Sequence, residues 1–161
     1  MGEFFYRLLD DGTACVMGYE GSDPDVVIPE TYCGAAVSTL YDHLFQGHRE
    51  IRSLQIPDTV TDLGEFLLDG CEALRTLRLP RSLRTLWGLT FVRSGLEELT
   101  LPDGLERIPP FAFKDCKALR RVVAGSGLAK VDAWAFQGCS LEEFVCGPEV
   151  QVHPQAFSAP A

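Results

Sequence analysis

The chain has 161 residues, 46% apolar and 23% charged, with a formal net charge of −9. That length suits one domain, and the apolar share supplies a packed core and excludes a disordered chain. The acidity is concentrated in residues 1–50, where nine acids face only Arg7 and Arg49. The remainder holds fourteen acids against twelve bases, so no basic face for nucleic acid is expected.

The first ten residues have no basic start and no long apolar run, so they do not read as a signal peptide. As written, the chain is expected in the cytoplasm, and at a cell surface only within a longer exported parent. Nowhere does a run approach the ~20 apolar residues of a membrane helix, so no membrane insertion is expected. Phe4 to Leu9 and Thr13 to Tyr19 flank Asp10-Asp11-Gly12, a good hairpin turn. This hairpin is expected to cap the edge and apolar end that a first strand would otherwise expose. Asp23 and Asp25 form a D-x-D pair, but the other oxygen ligands of a calcium loop are missing, so they read as solvated turn carboxylates.

From residue 37 onward the chain repeats. Phe45, Leu68, Phe91, Phe113, Phe136 and Phe157 recur at spacings of 23, 23, 22, 23 and 21. A second column, Leu40, Leu63, Leu86, Ile108, Val131 and Val152, keeps the same spacings. A third runs Leu54, Leu77, Leu99, Val122 and Phe144, and a fourth Ile56, Leu79, Leu101, Ala124 and Cys146. Four apolar columns on one period are the signature of a stacked-repeat solenoid, whose rungs share a core that none could bury alone. Within a rung, Ser53-Leu54-Gln55-Ile56 alternates with the period of a half-buried strand. Pro57, Pro80 and Pro102 end the ladder, because proline lacks a donor. A second extended piece such as Val60 to Leu63 turns back, and a short helical or 3₁₀ segment is expected to close each coil.

The unit from Leu54 to Gly64, Leu-Gln-Ile-Pro-Asp-Thr-Val-Thr-Asp-Leu-Gly, resembles the L-x-I-P-x-x-V-x-x-I-G unit of BspA-like bacterial leucine-rich repeats. Leu99 to Leu105 follows it too, and Ala112-Phe113 to Cys116 to Leu119 and Ala135-Phe136 to Cys139 match its A-F-x-x-C continuation. Trp87 and Pro109 replace the usual Gly, and His48 and Ser94 stand where Cys is usual. The resemblance implies a leucine-rich-repeat solenoid and a recognition role of the bacterial, surface-associated kind. One domain over 1–161 is expected, with 1–36 as hairpin cap and lead-in and 37–161 as stacked repeats of 22–23 residues. The final stretch, Gln151 to Ala161, reads as a truncated rung with no polar cap.

Charges support the register. Stacking places Arg75, Glu97, Arg120 and Glu142 in one column, and Thr76, Glu98, Arg121 and Glu143 in the next. Opposite charges on strands ~4.8 Å apart contribute about 0.2–1 kcal/mol per pair.

Several motifs reduce to repeat structure. Gly125-Ser126-Gly127 imitates a phosphate loop, yet it aligns with the inter-strand turn at Pro57 to Val60, and no Lys-Ser/Thr pair follows. Cys71, Cys116 and Cys139 share one repeat position and lack the spacing of a zinc site. With no export signal the six Cys read as free thiols. No metal or cofactor is expected. Only His43, His48 and His153 could serve as bases, and no catalytic signature surrounds them, so an enzyme is not expected.

Two candidate surfaces survive. On the concave strand face Ser53, Gln55, Thr76, Arg78, Glu98, Thr100, Arg121, Val123, Glu143 and Val145 should point outward, and solenoids use such faces for partners. On the convex side Phe66, Leu89, Phe111 and Trp134 form a ridge two residues before the Phe column. A cluster of Arg75, Arg78, Arg81 and Arg84 would favour an acidic partner. The sequence therefore points to a non-enzymatic protein-interaction module of unknown partner. The alternatives are a structural or self-assembling solenoid, or a fragment of a larger cell-surface adhesin.

Overall fold

A computed structural model describes residues 2–157, so residues 158–161 of the expected truncated rung lie outside the described residues. The chain winds into a β-solenoid of about six turns. Strands β1 (Glu3–Leu8) and β2 (Ala14–Glu20) form an antiparallel hairpin, with a bulge between Phe5 and Tyr6. Gly12 turns it at φ 85°, a left-handed conformation that a side chain resists. The inward Ala14, Val16 and Tyr19 are buried.

Each rung contributes to two files of short parallel strands. In one file β2 pairs with β5 (Ala35–Leu40), then β7 (Asp62–Leu63) and β8 (Thr85–Leu86) follow. The file resumes in β10 (Arg107–Ile108), β12 (Lys130–Val131) and β14 (Gln151–Val152). Leu40, Leu63 and Leu86 stand opposite one another, as do Ile108, Val131 and Val152. The second file holds β3 (Asp25–Val27) with β6 (Ser53–Gln55), and β9 (Glu98–Thr100) with β11 (Arg121–Val123) and β13 (Glu143–Val145). β4 (Thr31–Tyr32) folds back antiparallel on β5. Between the two halves of the second file, residues 75–79 are joined by a single bridge, Gln55 to Arg78. That bridge sets Leu54 beside Leu77, both of which line one groove with Leu99, while Leu99, Val122 and Phe144 stand opposite one another.

The large side chains fill the coil from end to end. Phe45, Phe91, Phe113 and Phe136 are fully buried. Phe91 stacks on Phe113 at 4.9 Å, Phe113 on Phe136 at 5.0 Å, and Phe136 on Phe157 at 5.1 Å. Each buried ring is worth about 1.5–3 kcal/mol in transfer, and each ring pair about 0.5–1.5 kcal/mol more.

The short helical or 3₁₀ segments expected to close each coil do not form: among the described residues the closing segments are turns, with no helix. The backbone explains it. Two left-handed residues, four apart, occur in five successive closing turns: His43 and Gly47, Phe66 and Gly70, Leu89 and Arg93, Phe111 and Asp115, Trp134 and Gly138. A left-handed L-residue costs roughly 1–2 kcal/mol and breaks a right-handed helix. In return the turn's N–H groups point at the next rung. Phe111 donates to Trp134 O at 3.2 Å, Phe113 to Ala135 O at 2.9 Å and Asp115 to Gln137 O at 2.8 Å. His43, Phe45 and Gly47 do the same to Glu65, Leu67 and Asp69. Inter-rung bonding replaces the bonds a helix would make within itself.

Two glycines separate conformational from steric demand. Gly70 holds φ 81° but its Cβ would meet only Gly47, at 3.6 Å, whereas a Cβ on Gly95 would lie 2.1 Å from Glu72 O. Gly70→Ala should cost about 1–2 kcal/mol in urea unfolding, and Gly95→Ala more, because the neighbouring rung's backbone must move. Equal losses would contradict this close approach.

Candidate binding surfaces

The ten residues expected to point outward from the strand face differ in exposure. Gln55, Thr76, Arg78, Glu98, Thr100, Arg121, Glu143 and Val145 are exposed, and Ser53 and Val123 are half-buried. Seven of these ten residues, Ser53, Gln55, Thr76, Arg78, Glu98, Thr100 and Arg121, line one groove of about 640 Å³. Its floor is apolar: Leu54, Leu77, Leu79, Leu99 and Leu101 are inward residues seen edge-on. Val123, Glu143 and Val145 lie beyond it. The groove coincides with the stretch where residues 76–78 and β9 are not strand-paired.

Sequence reasoning missed two contributors. Pro102 lines the groove beside Arg81, the latter expected only in the arginine cluster, and Val27, 59% exposed, borders a smaller neighbour of about 360 Å³ with Asp58 and Arg78. The face thus begins one rung earlier than expected, on β3. Little signal was available in the chain here, since Asp25 is followed by three apolar residues, and the match to Ser53, Leu54 and Gln55 comes from strand pairing.

The charge columns pair, though not always with the expected partner. Arg75 reaches Glu97 at 3.8 Å, and Arg121 pairs with Glu143. Arg120 chooses Glu98, at 3.1 Å, over the Glu97 directly beside it. Arg78 pairs with Asp58 at 3.1 Å, while Asp58 also accepts the Arg81 N–H at 2.9 Å. That backbone hydrogen bond, then Arg78, holds the Asp58 carboxyl below its ordinary range. Two of the four clustered arginines are therefore committed, and exposed pairs of this kind contribute about 0–1 kcal/mol.

In the closing turns Phe66, Leu89 and Phe111 are half-buried and Trp134 is 38% exposed. All four carry the left-handed backbone of the closing turn. Phe111 and Trp134 stack at 5.8 Å, with Lys114 Nζ 5.6 Å from the Phe111 ring. His43, one period ahead of Phe66 and not foreseen, stacks on it at 5.1 Å. The ridge is a partly wet file of stacked rings.

The remaining motifs resolve into structure. Cys71, Cys116 and Cys139 aim their thiols at the carbonyls of Phe45, Phe91 and Phe113, at 3.2, 2.9 and 2.8 Å. Burial pushes the Cys71 thiol up to about 12, and the hydrogen bond with Cys116, then burial, pushes Cys139 up. Ser94 approaches Cys116 at 3.5 Å from the neighbouring rung. Among the described residues no group of three His, Cys, Asp or Glu side chains could hold a metal ion. Ser126 N–H, at the centre of the Gly125–Gly127 loop, is taken by the Asp103 carboxylate at 2.8 Å. No helix among the described residues is long and apolar enough to cross a membrane.

Residues 38–160 match the family described as BspA type Leucine rich repeat region, in six copies. No curated protein matches the chain. A solved leucine-rich-repeat protein of T. pallidum aligns at TM-score 0.77 and 23% identity, over 92% of this chain and 82% of that one. A leucine-rich cell surface protein of Faecalibacterium prausnitzii aligns at TM-score 0.69 and 22% identity, covering 98% of this chain. Of that protein's own length the chain spans 52%. One from Bacteroides capillosus gives TM-score 0.66 and 23% identity, over 75% of this chain and 93% of that one.

One buried carboxylate ties three successive closing turns together. Asp69 accepts Arg93 Nε and Nη2 at 2.8 and 2.7 Å and Gln46 Nε2 at 2.8 Å. The Arg93 guanidinium, helped by Gln46, holds its carboxyl below the usual range. A depressed folded value means stability that is present above the unfolded value, near 3.9, and lost as pH falls through the folded one. Asp69→Asn should lower stability at neutral pH and flatten its decline below about pH 4. An unchanged acid limb in urea titrations across pH would contradict the pairing.

Proposed function

The chain belongs to the BspA-type leucine-rich-repeat family, and from that premise we propose that it is a non-enzymatic protein-interaction module working through its concave face. Leucine-rich repeats of this kind serve as interaction or structural modules. The observation that carries the reading is the groove of about 640 Å³, which gathers polar side chains from four consecutive rungs over an apolar floor. An apolar floor with polar groups at the rim is the usual anatomy of a recognition patch. The rim offers both signs of charge, so a partner must displace or complement the pairs Arg78–Asp58 and Arg120–Glu98. Such pairing favours a defined partner over a merely acidic one.

A second reading, a self-assembling solenoid or one part of a larger cell-surface adhesin, is favoured by the last described rung. There β13 and β14 are paired on one side only, and Val145, Val152 and Phe157 are 40%, 36% and 44% exposed. Light scattering over a concentration series tests it, growth of the particle with concentration being the result this reading needs.

For the first reading, capture of extracellular proteins by the immobilised wild type is compared with Arg78→Glu, Thr100→Arg and Trp134→Ala. The two concave substitutions should each weaken capture by about tenfold, equivalent to about 1.4 kcal/mol, and Trp134→Ala should leave it unchanged. Loss confined to Trp134→Ala would move the site to the ridge.

A further inference from the structure

The first strand file begins at an open edge. β1 pairs only with β2, so one backbone edge of the six-residue strand Glu3–Leu8 has no neighbour among the described residues. An open edge is a template for a further strand, and proteins guard such edges with proline, bulges or charge. β1 holds no proline, and the extra residue at the bulge, Met17, belongs to β2. Its two charges, Glu3 and Arg7, are opposite in sign.

The strand's two faces differ. Phe4 and Tyr6 are half-buried and pack on Tyr19 at 5.0 Å and Tyr32 at 4.1 Å. Glu3, Phe5 and Arg7 alternate with them and are exposed, Phe5 by 43%. The Phe5 ring rests over Gly18, directly opposite on β2, where a Cβ would sit 3.5 Å from it. Glu3 stands opposite Glu20, a like-charge pair that weakens a sheet. Neither Glu3 nor Arg7 has an ion-pair partner among the described residues.

The strand that fits this edge is β1 itself. Read outward from Phe5, Glu3-Phe4-Phe5-Tyr6-Arg7 complements its own reverse. Laid antiparallel on a second copy with Phe5 opposite Phe5, Glu3 meets Arg7 and Phe4 meets Tyr6, each twice. Leu8, 58% exposed, meets Gly2, which has no side chain to obstruct it. Cross-strand aromatic and opposite-charge pairs stabilise a sheet, and the second copy's Arg7 offsets the repulsion between Glu3 and Glu20. A parallel pairing would set Glu3 on Glu3 and Arg7 on Arg7. A two-residue slip would set a charge on Phe5, and a one-residue slip would mix the two faces. We propose that β1 is the interface of a symmetric dimer, in which two copies of this chain join edge to edge. None of these residues lines the concave groove.

Sedimentation equilibrium of the full chain, over about 5 μM to about 1 mM, is the test. An edge of this length buries less than the roughly 1,200–2,000 Å² of a stable complex, so the expected result is a monomer–dimer equilibrium with a dissociation constant on the order of 0.1 mM. No larger species should form, because an isologous contact closes on itself. Arg7→Glu and Glu3→Arg should each weaken dimerisation about tenfold, since each sets like charges opposite one another twice per dimer. The double variant Glu3→Arg, Arg7→Glu restores opposite pairs and should return to within about threefold of the wild type. Val152→Lys, on β14, should leave the dimer unchanged. The substituted residues are exposed, and an unaltered melting temperature certifies the fold of each variant. A chain that stays monomeric at about 1 mM, tenfold above the expected constant, would overturn the proposal. So would assembly beyond the dimer, a dimer lost in Val152→Lys, or a folded double variant that associates no better than Arg7→Glu alone.

Discussion

Everything in this molecule depends on one parallel register, in which each rung lies on the next with the same residue inward. Backbone bonds and apolar stacking impose it together. In the files, Leu63 faces Leu40 and Leu86, and Val122 faces Leu99 and Phe144. In the closing turns, N–H groups reach forward one rung, and inside the coil Phe91, Phe113 and Phe136 stack face on face. A slip of one residue would turn every inward side chain outward. No rung has enough apolar surface to stand alone, so the stacking contacts hold the greater part of the folding free energy.

The repeating part of this arrangement was legible in the chain. Columns such as Leu40 to Val152 and Phe45 to Phe157 carry the period directly, because burial at equivalent positions demands similar side chains. The closing turns were not legible. Phe66-Leu67-Leu68 and Trp134-Ala135-Phe136 are short apolar runs whose state periodicity alone does not decide. What decides against a helix is long-range: the carbonyls of the next rung offer partners for the turn's N–H groups, and the left-handed residues aim those groups at them. Local propensity contains no trace of a neighbour 23 residues away. The same limit hid Val27, whose place beside Gln55 follows from the pairing of β3 with β6.

The candidate surfaces show a similar division. Which residues of the strand face point outward followed from alternation alone. Which of them share a groove did not, since that depends on the unpaired stretch between residues 76–78 and β9. The charge columns were foreseen as columns, but Arg120 pairs diagonally with Glu98, a choice made by side-chain reach rather than by strand position. Likewise Tyr41, Trp87 and Pro109 interrupt the repeat, standing in the column where Gly64 supplies the glycine of the family unit. Departures from a repeat are thus informative, because the shared core does not require them.

The most direct test of the central claim is a set of double-mutant cycles on the phenylalanine file, read by urea unfolding. Neighbouring pairs Phe91–Phe113 and Phe113–Phe136, each truncated to Leu, should couple by about 0.5–1.5 kcal/mol. The separated pair Phe91–Phe136 should be additive within about 0.5 kcal/mol. Absent coupling between neighbours, or coupling as large across the gap, would contradict a core built from rungs stacked in register.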